Sequence, residues 1–188
     1  MNVLEMVLVS FVTFNIVILT SNEIKNKVWW SGYFMCCVNY IISLYFGQFI
    51  NIPVKNNFYF NDIFIFIPYI FISDLVFYST HRIMHYKYLY KYHKQHHLWN
   101  EPVSTSFLDS NPFEHLLVNI PTVIVPLYVI HISDIQQMIW IIIVTTQSIL
   151  SHMELYDING PHIKHHKLRK VNYGTGLYLC DRLLGTYA

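Results

Sequence analysis

Histidine is the residue type whose number and spacing in this chain suggest chemistry. There are 11 histidines against 12 lysines and arginines together. Most fall in three boxes, with His152 ahead of the third: His81-Arg82-Ile83-Met84-His85, His93-Lys94-Gln95-His96-His97 and His162-Ile163-Lys164-His165-His166. On a helix, residues at i, i+3 and i+4 share one face, so HxxxH presents two imidazoles together and HxxHH presents three. Facing helices that carry such side chains are how helical bundles hold metal ions.

The size of this histidine set indicates how many ions it could bind. Eight or nine neutral nitrogens are too many for one ion, so two ions could share them. Imidazole suits iron, zinc, copper and nickel, and the ligand type alone does not choose among these metals. A lone HxxxH pair on a basic segment is more often a solvated face, but two HxxHH boxes together favour a metal site. His115 and His131 stand outside the boxes, and we interpret both as structural.

The helix that enters the first box carries an acid. Asp74, Tyr78, His81 and His85 fall at i, i+4, i+7 and i+11, which is one helical face. An acid within an apolar span is costly and by default indicates function. We expect Asp74 to accept a hydrogen bond from a ligand imidazole, fixing its tautomer and raising its basicity. The alternative is that Asp74 pairs with a basic or polar group on another helix.

The composition indicates that the elements positioning these residues lie in a lipid bilayer. Hydrophobic residues make up 54% of the 188 residues and charged residues only 12%, against about 25% charged in a soluble domain. One domain, 1–188, is the natural count at this length. The net charge of +1 gives no case for nucleic acid. Cys36, Cys37 and Cys180 suggest neither a disulfide framework nor a CxxC site.

Four apolar stretches are long enough to be membrane elements. They cover residues 3–20, 28–50, 58–79 and 116–150. About 20 apolar residues are needed to cross the hydrocarbon layer, and the first three stretches qualify. The fourth is interrupted at residues 131–134, so we predict a hairpin of two shorter helices, 116–130 and 135–150.

The distribution of basic residues predicts the orientation. Lys55 is the only one of the 12 lysines and arginines that this arrangement places on the side opposite the boxes. The positive-inside rule then puts the boxes on the cytoplasmic face. We therefore predict an all-α, integral membrane helical bundle of three spans plus a helical hairpin. The polar segments after residues 80 and 151 form a cytoplasmic, histidine-rich helical cap.

From Asp74 to the C-terminus, the sequence resembles the fatty acid hydroxylase and sterol desaturase superfamily of membrane non-haem diiron enzymes. The residues before that match only in being apolar. Asn111, Ile163 and Cys180 depart from the family pattern, which often has His, Asp and Trp there. The resemblance rests on the three boxes and on these further motifs: Asp74-x3-Tyr78 before the first box, Pro112-x-Glu114, the lone His152, Asn172-Tyr173-Gly174 after the third box, and Asp181-Arg182-x2-Gly185-Thr186.

The resemblance implies a site, a reaction and partners. The implied catalytic region is 58–188, preceded by N-terminal spans in 1–57. Two iron ions would use O2 to hydroxylate or desaturate a C–H bond of a sterol, fatty acyl or related lipid, with no catalytic side chain beyond the metal site. The electron donor would be one such as cytochrome b5 with its reductase, and in a eukaryotic cell the membrane would be of the endoplasmic reticulum type. The implied ligands are His81, His85, His93, His96, His97, His152, His162, His165 and His166, supported by Asp74, Tyr78, Glu114, Asn172 and Asp181.

Two other readings remain open at this point. The chain could be a non-catalytic metal- or haem-binding membrane protein, such as a transporter or a bis-histidine cytochrome. A transporter should place its ligands near the bilayer midplane, whereas here they gather at span ends. The chain could also be a degenerate family member kept as a binding subunit, a reading motivated by Asn111 and Cys180.

Overall fold

The computed structural model describes residues 1–21, 23, 25–55, 60–153 and 160–188. Within these residues the secondary structure consists of helices and turns without strands, which confirms the predicted all-α class. Three helical stretches are long and apolar enough to cross a membrane: Val3–Thr20, Ile63–Met84 and Pro112–Val129. The predicted start of the third apolar stretch, residue 58, lies outside the described residues.

The first two helices differ in how well they suit a bilayer. α1 (Val3–Thr20) begins with a capping box between Asn2 and Glu5, which satisfies backbone N–H groups that the helix cannot use itself. α2 (Lys27–Gly47) has 21 residues and is capped by Asn26. α2 is not among the three apolar stretches, because its tyrosine, tryptophan and serine residues and the buried Asn39 lower its hydropathy. The predicted second span over residues 28–50 is therefore present as a helix, but this helix is less apolar than expected.

α3 (Phe66–Met84) carries the first box to the end of the bundle. The helix follows the 3₁₀ turn Phe60–Ile65, and His81 lies in its last turn. The side chain of Ser73 donates to the Thr122 carbonyl at 3.1 Å, which ties α3 to the next long helix. Its predicted continuation through the first box is confirmed, with His85 as the capping residue.

The predicted hairpin is present, and its two arms pack mainly on different helices. α4 (Pro112–Val129) packs against α3, and α5 (Asp134–Leu150) packs against α1. Ser133 caps α5 in a capping box with Gln136. α4 contains a π turn over His115–Asn119, which the sequence analysis did not predict.

The histidine boxes lie at one end of this bundle. At the other end, the amino group of Met1 pairs with Asp134, and the Lys55 backbone N–H donates to the Ile132 carbonyl. Because α3 runs away from this end and α5 runs parallel to it, the first box and His152 reach the same opposite end. The helices α6 (Pro161–Leu168) and α7 (Leu179–Leu184) complete that end.

Candidate metal centre

Each box is held by a different kind of local structure. The first ends α3, and the third lies on α6, so its three histidines share a helix as predicted. The second box was predicted on a helix, and this is wrong. His93 ends the single turn Tyr90–His93, while His96 and His97 lie in the 3₁₀ turn His96–Leu98. This broken backbone turns His96 away from His93 and His97.

The nine predicted ligands gather in two groups, and within each group the ligand atoms all lie within 4.8 Å of one another. The second and third boxes each contribute to both groups. The two groups share a wall, since the rings of His97 and His166 have centroids 5.0 Å apart. The first group is His81, His85, His93, His97 and His165, and the second group is His96, His152, His162 and His166.

Five of these rings are fixed by a hydrogen bond at Nδ1. Four of the acceptors are backbone carbonyls and the fifth is a carboxylate, so each Nδ1 must carry the proton and donate it. In a neutral ring this leaves the Nε2 lone pair facing the group. The five pairs are His81 with Tyr173 O at 2.8 Å, His93 with Glu114 Oε1 at 2.7 Å, His152 with Ser148 O at 2.8 Å, His165 with Val171 O at 2.7 Å and His166 with Trp99 O at 2.9 Å.

The lone pairs meet at distances that need a cation between them. Nε2 of His93 lies 3.0 Å from Nε2 of His81 and 3.0 Å from Nε2 of His85. A proton on His93 could serve only one of these two neighbours. In the second group, Nε2 of His162 lies 3.0 Å from that of His152 and 3.3 Å from that of His166. Nitrogens bound at about 2.1 Å to one ion stand about 3.0–3.4 Å apart at octahedral and tetrahedral angles, so both groups fit a metal ion.

Burial keeps these imidazoles unprotonated. It lowers the pKa of His85 to about 2, with the neighbouring His93 and His165 contributing. Burial likewise lowers the pKa of His165 to about 3 and that of His152 to about 4. The pKa values of His96 and His166 fall well below 6.5 for the same reason. The imidazoles of these five residues are therefore neutral at pH 7, which is the protonation state that binds a metal.

Glu114 and Asp181 support the ligands in different ways. Glu114 contacts His93 directly through the 2.7 Å bond. Asp181 acts one step away, because its carboxylate accepts from the backbone N–H groups of Tyr173 and Gly174 at 2.8 and 2.6 Å. The Tyr173 carbonyl in turn accepts from His81. Asp181 thus fixes the peptide that orients a predicted ligand.

Asp74 does not accept from an imidazole in the described part of the chain, so that prediction is wrong. Its two oxygens accept from the backbone N–H groups of Thr175 and Cys180, at 2.9 and 2.8 Å. A methyl group on Gly174 would lie 2.5 Å from Asp74 Oδ1 and 2.7 Å from Asp181 Oδ2. The carboxylates therefore clamp this loop from both sides, and only glycine fits between them.

Tyr78 and Asn172 lie further from the imidazoles. The Tyr78 hydroxyl contacts Arg82 and lies 3.3 Å from Thr186 Oγ1. Asn172, at φ 54°, exchanges hydrogen bonds with the last residue, Ala188, and donates to the Pro161 carbonyl. Asn172 thereby joins the start of α6 to the chain end. Tyr78 and Asn172 therefore support the structure around the site.

Sequence reasoning missed Trp99 and Asp109. The Trp99 carbonyl accepts from His166, and the Trp99 indole donates to Asp109 at 2.7 Å. Asp109 also accepts from Gln95, within the second box, at 2.8 Å. A tryptophan two residues after the second box was the available signal. The groups of Tyr173, Ser148 and Val171 that anchor other rings are backbone carbonyls, which residue type does not reveal.

Of the three histidines outside the boxes, His152 belongs to the second group, whereas His115 and His131 stay outside both groups. His131 is exposed. His115 is buried in the π turn of α4, and its Nε2 lies 2.7 Å from the Ser43 hydroxyl of α2. The structure therefore agrees with a non-ligand position for both.

A cavity begins at the two groups and continues between α1, α2, α4 and α5. It reaches Val3 and Ile50 at the far end of the bundle. The α5 residues that line it span about 11 Å of helix, at 1.5 Å per residue, and they fall on one face. Its volume is about 150 Å³, which suits a segment of a lipid rather than a whole one. The α5 residues are Ile141, Val144, Thr145 and Ser148, and Ser151 and His152 line the cavity just after the helix ends.

Known proteins are similar to about two thirds of this chain. A family model described as fatty acid hydroxylase matches residues 66–186. A delta(7)-sterol 5(6)-desaturase of Gibberella zeae is 31% identical over 137 residues, or 67% of this chain and 38% of the relative. A lathosterol oxidase of Rattus norvegicus is 30% identical over 132 residues, or 64% of this chain and 44% of the relative.

A third relative, fatty acid hydroxylase domain-containing protein 2 of Homo sapiens, is 33% identical over 122 residues, or 61% of this chain and 36% of the relative. The chain thus covers less than half the length of each of these relatives. No solved structure matches it.

Proposed function

Because this chain belongs to the fatty acid hydroxylase and sterol desaturase superfamily, we propose that it is a membrane-bound lipid oxidoreductase that uses O2 and two iron ions. Its substrate is a sterol, fatty acyl or related lipid, and its reaction is hydroxylation or desaturation of a C–H bond. The spans and the relatives' names support a lipid substrate, and the two groups of imidazoles support a pair of ions.

The single observation that carries the proposal is the convergence of nine imidazoles on two centres. In the proposal, the five histidines of the first group hold one ion and the four of the second group hold the other. A purely structural histidine cluster has no need to direct lone pairs toward one another at 3.0 Å. A haem protein needs only two axial histidines.

When bound, the iron pair would activate O2 strongly enough to oxidise an unactivated C–H bond. Hydroxylation consumes one O2, two electrons and two protons, and yields the alcohol and one water. Desaturation consumes the same and yields the alkene and two waters. The electrons come from an external donor, which we propose to be of the cytochrome b5 type, on the cytoplasmic face of an endoplasmic reticulum type membrane.

The chain's own residues position the lipid and exclude water. The cavity brings a lipid segment to the edge of both groups, where His81, His96 and His162 line it. Phe77 and Leu108 line the same end, and apolar walls of this kind keep water from a reactive oxidant. Asp74 and Asp181 hold the loop that orients His81, as described above.

Oxidation by the iron-loaded protein tests the proposal. The purified chain in nanodiscs is loaded with Fe(II) without oxygen, and then receives O2, cytochrome b5 with its reductase, and lathosterol or a fatty acyl lipid. Mass spectrometry should detect a product heavier by one oxygen or lighter by two hydrogens. His96→Ala should abolish the product, whereas His131→Ala, at the exposed position, should not. The absence of product from every lipid class, or a Soret band in the purified protein, would contradict the proposal.

A further inference from the structure

The π turn of α4 and the residue just before it place three polar side chains on the cavity wall beside the candidate metal centre. They are Glu114, His115 and Asn119. A π turn closes i→i+5 bonds and is wider than an α turn, and such turns occur frequently at functional sites. Because the turn is wide, residues 114 and 119 come nearer to the same side than they would in a regular helix. Glu114, His115 and Asn119 thus add polar groups to a passage that is otherwise lined by apolar residues, histidines and hydroxyl side chains.

These side chains have hydrogen-bonding capacity that the described chain does not use. Glu114 is 3% exposed, and its Oε2 has no partner among the described residues. Asn119 Nδ2 makes only two long contacts, 3.4 Å to Ser110 Oγ and 3.4 Å to His115 Nδ1. An unpaired buried oxygen is unfavourable in free energy, and more so where it is charged. A group in the cavity that donates to Glu114 and accepts from Asn119 would remove that cost.

The charge of the cavity wall restricts what that group can be. No lysine or arginine is among the described residues that line the cavity. Its one carboxylate is Glu114, which is already engaged with His93. An anionic head group would therefore meet a like charge at Glu114, and its nearest counter-charge would be the proposed metal ions, which would draw it away from this turn. The matching group is neutral.

A hydroxyl fits this arrangement better than other neutral groups. A hydroxyl donates and accepts at one atom, whereas a trans secondary amide directs its N–H and its carbonyl to opposite sides, and an ester has no donor. Glu114 also contacts His93, so a group bound to it lies close to the first group of histidines.

We propose that the π turn is the recognition subsite for an uncharged lipid alcohol, whose hydroxyl donates to Glu114 Oε2 and accepts from Asn119 Nδ2. The inference rests on the proposed function and deepens it. It places the carbon to be oxidised within a few bonds of the hydroxyl, with the remaining apolar part directed toward Val3 and Ile50 or into the bilayer.

Lipid binding in the absence of O2 tests the subsite without requiring turnover. The full chain in phosphatidylcholine nanodiscs is titrated with two matched pairs of lipids: lathosterol with cholest-7-ene, which lacks the hydroxyl, and 1-hexadecanol with hexadecane. In at least one pair the alcohol should bind about tenfold tighter or more, as expected when a site built for a hydroxyl loses it. Lathosterol sulfate should bind more weakly than lathosterol.

Two variants with side chains of similar size test whether the π turn causes the preference for the alcohol. Asn119→Leu should weaken binding of the alcohol and bring its affinity near that of its hydroxyl-free partner. Thr122→Val should keep the preference, because the Thr122 hydroxyl already donates to the Val118 carbonyl at 2.7 Å within α4. Equal binding within both wild-type pairs overturns the proposal even if a variant fails to fold. A preference that survives in Asn119→Leu overturns the assignment to the π turn.

The outcomes for the subsite and for the reaction are separable. A chain that prefers the alcohol but oxidises no lipid contradicts the proposed function and leaves the subsite standing. A chain that oxidises lipids but binds both members of each pair equally contradicts the subsite and leaves the function standing.

Discussion

Nδ1 of His93 lies 2.7 Å from Oε1 of Glu114, and both side chains are buried. This contact joins the second box to α4, across 21 residues of sequence. A carboxylate that accepts from a metal-binding imidazole fixes the tautomer and raises the basicity of the other nitrogen. The pair therefore links the cavity wall in α4 to the metal affinity of the first group of histidines.

Removing this carboxylate should weaken metal binding. Glu114→Ala should lower the affinity of the first group by about 10–100-fold, which is the usual effect of losing such a partner. Glu114→Gln should lower it less, because the amide oxygen still accepts from His93. Competition with a chelator measures both. Glu101→Gln, at an exposed position, is the matched control, and equal affinities in all four proteins would show that the contact does not support the metal.

Replacing Gly174, which lies between Asp74 and Asp181, should disturb both folding and metal binding. Gly174→Ala places a methyl group 2.5 Å from Asp74 Oδ1, so the loop must shift and the Tyr173 carbonyl moves away from His81. We expect a loss of about 1–3 kcal/mol in the free energy of unfolding together with a loss of bound metal. Thermal unfolding in detergent and metal analysis are the measurements.

Gly185→Ala provides the control for that substitution. Gly185 has φ +70° but open space around it, so alanine strains the backbone by about 1 kcal/mol without moving the ligands. This variant should unfold earlier than wild type yet keep its metal. If Gly174→Ala keeps its metal as well, the clamp does not position His81.

The stability of the metal-free protein should fall with acid. Burial lowers the pKa values of His85, His152 and His165 to about 2, about 4 and about 3, whereas an unfolded histidine titrates near 6.5. Below pH 6.5 the unfolded chain takes up protons that the folded site does not, so the free energy of unfolding decreases as the pH falls toward 5. Above pH 6.5 these groups are neutral in both states and contribute no pH dependence.

Thermal midpoints of the metal-free protein between pH 7.5 and 5 test this prediction. A variant with His152→Gln and His165→Gln should show a shallower decline, while His131→Gln should decline like the wild type. A midpoint that is constant over this range, or that rises with acid, would contradict the assignment of buried neutral imidazoles.

Each histidine group should hold its own ion. Because His152 and His162 both belong to the second group, replacing both by alanine should remove about one ion per chain and leave the other bound. His81→Ala with His85→Ala should do the same to the first group. Metal analysis of the two double variants distinguishes this from a single shared site, in which either double variant would lose all the metal.

The sequence predicted the members of the site better than their supports. The spacing in the boxes picked out eight of the nine histidines that the structure brings together, because imidazole clusters are rare, and the family resemblance added His152. The hairpin was visible because a polar turn interrupts an apolar stretch. The second box lies on two short turns, however, and tertiary contacts such as the bond from Gln95 to Asp109 decide that backbone.

The hydrogen-bond partners of Asp74 could not be predicted from helical periodicity. Its position on the same helical face as His81 and His85 suggested an imidazole partner. The C-terminal loop instead folds back over α3 and offers the backbone N–H groups of Thr175 and Cys180. No periodicity in the sequence encodes that return, and the same holds for the carbonyls of Trp99, Ser148 and Val171 that anchor the rings.

The number and state of bound iron test the account most directly. Wild-type protein, loaded with Fe(II) without oxygen, desalted and examined by metal analysis and Mössbauer spectroscopy, should contain about two non-haem irons per chain. Both irons should show nitrogen-rich coordination. Protein that binds one iron or none after such loading, or that holds its iron in haem, would contradict the claim that three separate boxes converge on two metal ions.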